Sequence, residues 1–217
     1  MTNQLSRPRR TRNAARTTAQ ILETAQTEFA KSGFSGARVD RIALDSGTNK
    51  ALLFQRFDDK AGLYAAVLER VRQDASATRA TFVARVTSTD KPRSSAQFHE
   101  LVGRLVEVNI AFLVQHPEAA AILHWERASG WVAFRQAALD SIDEPGSALL
   151  ALFEDAAEHG WIRSTPSPAV QLAMTFDVPH THFASLSRNG SPVAQTAEWE
   201  FVSGFVADGL VEQGDAR

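Results

Sequence analysis

The sequence predicts an all-α protein of about nine helices. Apolar residues recur three and four positions apart over long segments, as in the stripe Phe98, Leu101, Leu105, Val108 and Phe112. Glycine, proline and asparagine clusters separate these segments. No segment shows a comparable two-residue alternation, so strands are not expected.

Composition excludes several classes of protein. The 217 residues include no cysteine, which rules out disulfides, thiolate zinc sites and cysteine nucleophiles. No apolar run approaches the roughly 18 residues of a membrane span. The arginine-rich start is followed by Glu23 and Glu28 rather than by the apolar segment of a secretory signal. We therefore expect a cytoplasmic location and no membrane partner.

The charge is unevenly distributed. Residues 1–72 contain 13 Lys and Arg against 7 Asp and Glu, whereas residues 73–217 contain 10 against 18. A basic front and an acidic rear indicate that only the front meets a polyanion. Chance clustering of charges on solvated surfaces is the alternative.

Short helices dominate the front of the chain. The stripe over residues 17–31 predicts a first helix that ends at Gly33, and residues 39–44 predict a second, short helix that ends before Gly47. Asn49 can cap a third helix, over Lys50–Phe57, by accepting a hydrogen bond from a free backbone N–H.

A fourth helix begins at Lys60 and is capped by Asp58 or Asp59. After a linker over residues 88–95, the stripe from Phe98 to Phe112 predicts a helix that ends at His116-Pro117. Further apolar stripes predict helices at residues 118–129, 131–139, 147–159, 169–186 and 196–211. Pro179 is expected to kink or break the helix that contains it.

The second and third helices form a candidate helix-turn-helix. The turn Ser46-Gly47-Thr48 contains the glycine that a tight bend requires. Leu53 and Phe57 lie one turn apart and can pack inward. Lys50, Ala51, Phe54 and Gln55 then face outward, where a recognition helix meets the DNA major groove. A plain helical hairpin with a solvated basic face is the alternative.

Residues 18–71 also resemble the DNA-binding domain of TetR-family transcriptional regulators. The resemblance is carried by ILETAQTEFAKSGF, VDRIALDSG and LLFQRFDDKAGLYAAVLE, in that order and spacing. It implies a helix-turn-helix domain followed by a larger helical domain that binds a ligand and dimerises. The expected boundaries are 1–16 for a basic flexible arm, 17–60 for the helix-turn-helix domain and 61–217 for the rear domain.

The resemblance, together with the outward face, assigns the residues that contact DNA. Lys60 matches the family's phosphate-binding lysine, while Arg56, Gln55 and Leu52 depart from the residues that are common at their positions. The candidate DNA-binding residues are Arg38, Lys50, Ala51, Leu52, Phe54, Gln55, Arg56 and Lys60.

The resemblance also implies a small-molecule pocket in the rear domain. The many aromatic residues there favour a hydrophobic or aromatic effector. The candidate lining residues are Asn109, Phe112, His124 and Trp125. For each of them, an ordinary position in the core is the alternative.

The last two helices, about 169–186 and 196–211, have apolar faces wider than a lone surface helix requires. The resemblance implies a homodimer through these helices. A dimer would place two recognition helices in successive major grooves of a palindromic operator on double-stranded DNA.

The leading hypothesis is therefore a ligand-responsive transcriptional regulator, most simply a repressor that its effector releases from the operator. An architectural DNA-binding dimer without a ligand is one alternative. An all-helical enzyme that uses carboxylates such as Glu126 is another, but no catalytic motif supports it. We expect no cofactor and no metal, because His180 and His182 lie two residues apart and a helix directs them to different sides.

Overall fold

A computed structural model of the chain describes residues 7–137, 143–188 and 196–212. Over these residues the backbone forms ten α-helices, and the only β-type pairing is an isolated antiparallel bridge between Ile162 and Val211. The all-α fold class is confirmed. No helix in the described ranges is both long enough and apolar enough to traverse a lipid bilayer.

The helices follow one another with short connections. Their bounds are α1 Arg7–Gly36, α2 Val39–Asp45, α3 Lys50–Phe57, α4 Lys60–Ser88, α5 Ser95–Gln115, α6 Pro117–Ala128, α7 Val132–Gln136, α8 Glu144–Glu158, α9 Pro168–Arg188 and α10 Thr196–Leu210. The linker predicted over residues 88–95 is confirmed, because α4 ends at Ser88 and α5 starts at Ser95.

The structure differs from the sequence analysis at the start of α1. Residues 7–16, which we expected in a flexible arm, are helical. Arginine and alanine are strong helix formers, and the one proline of this segment, Pro8, lies in the first turn, where its missing N–H costs nothing. Residues 1–6 of the expected arm lie outside the described part of the chain.

Helix α9 also differs from its predicted course, because it runs through Pro179 without a break. Helix α4 continues to Ser88, since no glycine or proline follows Gly62 within it. The end of the helix predicted at 131–139, and the predicted turn at 189–192, fall partly or wholly outside the described residues.

The chain divides into two compact units that differ from simple front and rear halves. The first consists of the described residues within Met1–Arg72 and Ala121–Asp140, and the second of those within Gln73–Ala120 and Ser141–Arg217. Helices α4 and α6 each contribute residues to both units.

The core of the first unit is built on aromatic and aliphatic side chains of α1 to α4. Phe29 and Tyr64 lie in tilted ring contact with centroids 4.6 Å apart, and Ile21, Ile42 and Leu53 are fully enclosed. These side chains fix α2 and α3 against α1 and the start of α4.

The core of the second unit is formed by α5, α8, α9 and α10. Phe98 and Phe153 meet edge to face at 5.1 Å, an arrangement that the charge distribution of aromatic rings favours. Asp143 begins α8 by accepting the Gly146 N–H at 2.8 Å, and its other oxygen binds Arg79 at 3.1 Å.

Candidate nucleic-acid interface

Helix α3 is held by its apolar side. Leu53 is only 1% exposed, and Ile42 of α2 and Phe29 of α1 are fully buried as well. This arrangement confirms that Leu53 lies on the inner face. Phe57, one turn later, is half-buried.

Local hydrogen bonds define both ends of the helix-turn-helix connection. Gly47 has φ of 65°, a conformation that side chains disfavour, and the Thr48 N–H returns to the Ala43 carbonyl oxygen at 2.9 Å. Asn49 caps α3, its side-chain oxygen accepting the Leu52 N–H at 2.8 Å. Both features were predicted from the sequence, and both are confirmed.

The outer face of α3 carries the candidate base-reading residues. Lys50, Ala51, Phe54 and Gln55 are all exposed, while Leu52 is half-buried. Arg38, just before α2, is exposed as well. The structure therefore brings five of the eight candidate DNA-binding residues to solvent-facing positions on or next to the helix-turn-helix.

Lys50 is engaged within the unit. Its ammonium nitrogen lies 3.0 Å from Asp40 Oδ1, and it also lies 5.9 Å from the centroid of the Phe54 ring. Both side chains of the ion pair are more than half exposed, so the pair is weak and the ammonium stays accessible from solvent.

Arg56 and Lys60 are more enclosed than the sequence suggested. The Arg56 guanidinium donates from Nη1 to Thr18 Oγ1 at 2.5 Å, which ties α3 to α1. The Lys60 ammonium donates to the Ser35 carbonyl oxygen at 3.3 Å and lies over the Phe34 ring, 5.0 Å from its centroid. Each side chain therefore stabilises the unit itself.

Glu28 is a residue of this site that the sequence analysis missed. This nearly buried side chain accepts the Arg38 N–H at 3.2 Å, and its other oxygen lies 3.7 Å from Arg41 Nε. The Arg38 side chain does not cap α2, so the hydrogen bond from the Arg38 N–H to Glu28 fixes the backbone at the start of α2. The signal in the sequence was that Glu28, a charged residue, lies in the apolar stripe of α1, where a buried side chain is expected.

Tyr64 and Glu126 form a second pair that the sequence did not reveal. Both are 2% exposed, and the Tyr64 hydroxyl donates to Glu126 Oε1 at 2.9 Å. Glu126 Oε2 accepts the Phe134 N–H at 3.0 Å, so both oxygens have donors. Burial is the main cause that raises the pKa of Tyr64 well above its usual value, and the hydrogen bond to Glu126 and the charge of Glu126 raise this pKa further. The phenol therefore remains a donor.

The four candidate effector-binding residues fall into two groups. Asn109 and Phe112 are buried in the second unit, where Asn109 donates to the Phe176 carbonyl oxygen at 3.4 Å and Phe112 stacks on His116. His124 and Trp125 belong to the first unit and are exposed. Trp125 donates from its indole nitrogen to the Ala30 carbonyl oxygen at 3.0 Å.

Comparison with known families agrees with this geometry. Residues 21–67, which contain α2, α3 and the enclosing ends of α1 and α4, match the family described as bacterial regulatory proteins, tetR family. These residues of the chain are therefore similar to that family, and the match does not extend beyond them.

Two curated relatives each match about half of this chain. It is 32% identical over 115 residues to the HTH-type transcriptional repressor SCO4008 of Streptomyces coelicolor, covering 53% of this chain and 52% of that protein. It is 31% identical over 117 residues to the HTH-type transcriptional repressor NicS of Pseudomonas putida, covering 54% and 51%. The matched segment thus spans about half the length of these relatives.

Solved structures extend the likeness of fold over most of the chain. A TetR-family transcription regulator from Marinobacter aquaeolei superposes with a TM-score of 0.68 at 20% identity, covering 94% of this chain and all of that one. A TetR-family protein from Mesorhizobium loti gives a TM-score of 0.60 at 18% identity, covering 89% and 94%. At these identities the likeness concerns the fold alone.

Proposed function

We propose that the protein is a transcriptional repressor that binds a palindromic operator as a homodimer and leaves it when a small effector binds. The observation that carries the proposal is the two-sided character of α3. Leu53 locks its inner side, while Lys50 and Gln55 project from its outer side into solvent. A helix held in this way can enter the major groove without rearranging.

Within this proposal the eight candidate residues have different roles. Lys50 and Gln55 donate to base edges, and Ala51, Leu52 and Phe54 provide apolar contact in the groove. Arg38 meets a phosphate at the start of α2. Arg56 and Lys60 meet phosphates with the donors that Thr18 and Ser35 do not occupy.

The proposed dimer forms through α9 and α10. On α10, Phe201 and Phe205 are 72% and 62% exposed and stack on each other at 6.2 Å. On α9, Val170 and Met174 are also exposed, one helical turn apart. Large apolar side chains paired in this way at the surface mark an association site, and a second copy gives the two-fold symmetry of a palindrome.

The proposed effector is small and hydrophobic or aromatic. Asn109 and Phe112 carry this part of the proposal, because they place one polar group among aromatic side chains in the second unit. His124 and Trp125 lie in the first unit. An effector that prefers a form of the dimer with low operator affinity weakens DNA binding by linkage, and α4, which has residues in both units, is the proposed connection.

A gel-shift titration against the DNA upstream of the protein's own gene tests the DNA-binding proposal. Lys50→Ala should relax sequence preference, whereas Lys60→Ala should weaken binding to all sequences and lower the salt dependence by about one unit of slope. Lys91→Ala is the matched control, since Lys91 is an exposed lysine of the second unit paired with Asp155. Equal effects of the first two variants on every DNA would contradict the assigned roles.

Sedimentation tests the dimer. Phe201→Asp combined with Phe205→Asp should give monomers that bind the palindrome weakly, whereas Val114→Asp, at another exposed apolar position, should remain dimeric. A double variant that stays dimeric would exclude this interface.

One measurement distinguishes the proposed repressor from the alternative, an architectural DNA-binding dimer without a ligand. Screening hydrophobic and aromatic compounds should identify at least one that lowers operator affinity if the repressor proposal holds. Operator affinity that no bound compound changes would leave the architectural alternative.

A further inference from the structure

The first unit contains a cavity of about 580 Å³. The candidate effector residues Asn109 and Phe112 are not among its lining residues, since they belong to the second unit. Its walls come from the end of α1, the α3–α4 junction, α6 and α7. This volume falls within the range of about 300–1,000 Å³ that is typical of small-molecule sites. The cavity is therefore large enough for an organic ligand.

The charges that line the cavity have one sign. Asp58, Asp59 and Glu126 contribute carboxyl groups, and among the described residues no arginine, lysine or histidine lines the cavity. Lys60 contacts the cavity wall, where its ammonium is held by Ser35 and the face of Phe34. The balance of charge favours a cation over an anion.

The three carboxyl groups are not equally engaged. Glu126 accepts two hydrogen bonds, and Asp59 caps α4 by accepting the Gly62 N–H at 2.8 Å. Asp58 is exposed, and within the described residues its side chain has no recorded hydrogen bond or ion pair. Asp58 is thus the carboxylate that a ligand can reach without breaking an existing contact.

Aromatic rings form one wall. Phe34 and Tyr64 line the cavity with their ring centroids 5.1 Å apart. The face of Phe34 already attracts one cation, Lys60, at 5.0 Å. Aromatic faces beside carboxylates bind ammonium groups through the ring quadrupole.

We propose that this cavity binds a small organic cation with an aromatic or apolar body. Asp58 would meet the ammonium group, and Phe34, Tyr64 and Ala133 would enclose the apolar body. The proposal goes beyond the regulator function, because it concerns a ligand site within the unit that carries the helix-turn-helix. It can hold or fail whether or not the protein binds an operator.

Equilibrium dialysis with three fluorescent probes tests the proposal. The probes are 1-naphthylmethylammonium, the neutral 1-naphthalenemethanol and the anion 1-naphthoate. We expect affinity to decrease in that order. Asp58→Asn should weaken binding of the cation about three- to fivefold, as expected for an exposed ion pair, and leave the alcohol unchanged. Asparagine has the same size and shape as aspartate, so the substitution removes the charge without adding bulk.

Two further variants complete the experiment. Glu23→Gln removes an exposed charge of the same unit that does not line the cavity, and should leave all three affinities unchanged. Ala133→Phe fills the cavity and should abolish binding of the cation and the alcohol alike. Equal binding of the three probes, no effect of Asp58→Asn, or full binding by Ala133→Phe would each overturn the proposal.

Discussion

The two compact units treat buried polar groups differently. In the first unit, Glu28 and Glu126 are buried carboxyl groups that accept hydrogen bonds from backbone N–H groups and from Tyr64. In the second unit, the buried polar side chains are neutral, and Thr175 and Gln171 bond mainly to carbonyl oxygens. The stability of the first unit therefore depends on a few hydrogen bonds to buried carboxyl groups. The stability of the second unit depends on apolar packing and on the partly buried ion pair of Arg79 and Asp143.

This contrast predicts that removing the donor of a buried carboxylate in the first unit costs more stability than removing a buried hydroxyl in the second unit. A buried carboxylate that loses its donor retains its full desolvation penalty, whereas a neutral hydroxyl loses less. The following variants compare the two units directly.

The largest effect is expected at the α3–α4 junction. A Cβ on Gly62 would lie 2.0 Å from the Phe57 carbonyl oxygen, so Gly62→Ala forces the two helices apart and should cost about 3 kcal/mol of unfolding free energy. Gly103→Ala, in α5, meets nothing within 4 Å and should stabilise by about 0.5–1 kcal/mol. Urea denaturation measures both, and a neutral Gly62→Ala would refute the close approach.

The next effect concerns Asp143 of the second unit. Burial alone would raise the pKa of Asp143, but hydrogen bonds from Gly146, Ser76 and Arg79, with the charge of Arg79, outweigh burial and hold this pKa below its usual value. Asp143→Ala should cost about 2 kcal/mol, whereas Asp143→Asn keeps the helix cap and should cost about half as much.

The pH dependence of this loss has a defined sign. Because the pKa is lower in the folded state, the contribution of Asp143 is complete above the unfolded value of 3.8 and is lost as pH falls below it. The stability difference between the native protein and Asp143→Asn should therefore shrink below about pH 3.8. Chemical denaturation at pH 7 and pH 3 checks this, and a constant difference would contradict the ion pair.

A smaller effect is expected for Tyr64→Phe. It leaves Glu126 Oε1 buried without its donor and should cost about 1.5 kcal/mol. Thr175→Val removes a buried hydroxyl that bonds to Leu172 in the second unit and should cost less. Thermal unfolding compares the two, and an equal or larger loss for Thr175→Val would reverse the contrast between the units.

The smallest effect on stability is expected for Asp40→Asn. Releasing Lys50 from its exposed partner should change stability by less than about 0.5 kcal/mol. Affinity for DNA should rise severalfold, because a negative charge beside the groove is removed. Glu100→Gln, which breaks the similarly exposed pair with Arg104, is the control for DNA binding and should leave it unchanged.

Much of the DNA-binding candidate site could be predicted from short-range signals. The Asn49 cap, the glycine turn at Gly47 and the inward position of Leu53 each depend on residues within a few positions of one another. Caps and turn glycines can be recognised in the sequence because the hydrogen bond or backbone angle that each one requires involves residues only a few positions apart.

Contacts between distant residues were not predictable in the same way. The bonds from Arg56 to Thr18 and from Tyr64 to Glu126 join residues 38 and 62 positions apart. Phe34, Asp58 and Ala133 likewise line one cavity although the sequence separates them widely.

The sequence by itself determined the helical fold class, the helix-turn-helix and the outward face of α3, because helical period, caps and turn residues act over a few positions. Only the tertiary structure decided that Arg56 binds Thr18, that Glu126 is buried beneath Tyr64, and that the first unit encloses an acidic cavity. Those outcomes depend on which distant helices pack together, and that choice is made by the summed burial of many apolar side chains rather than by any local pattern.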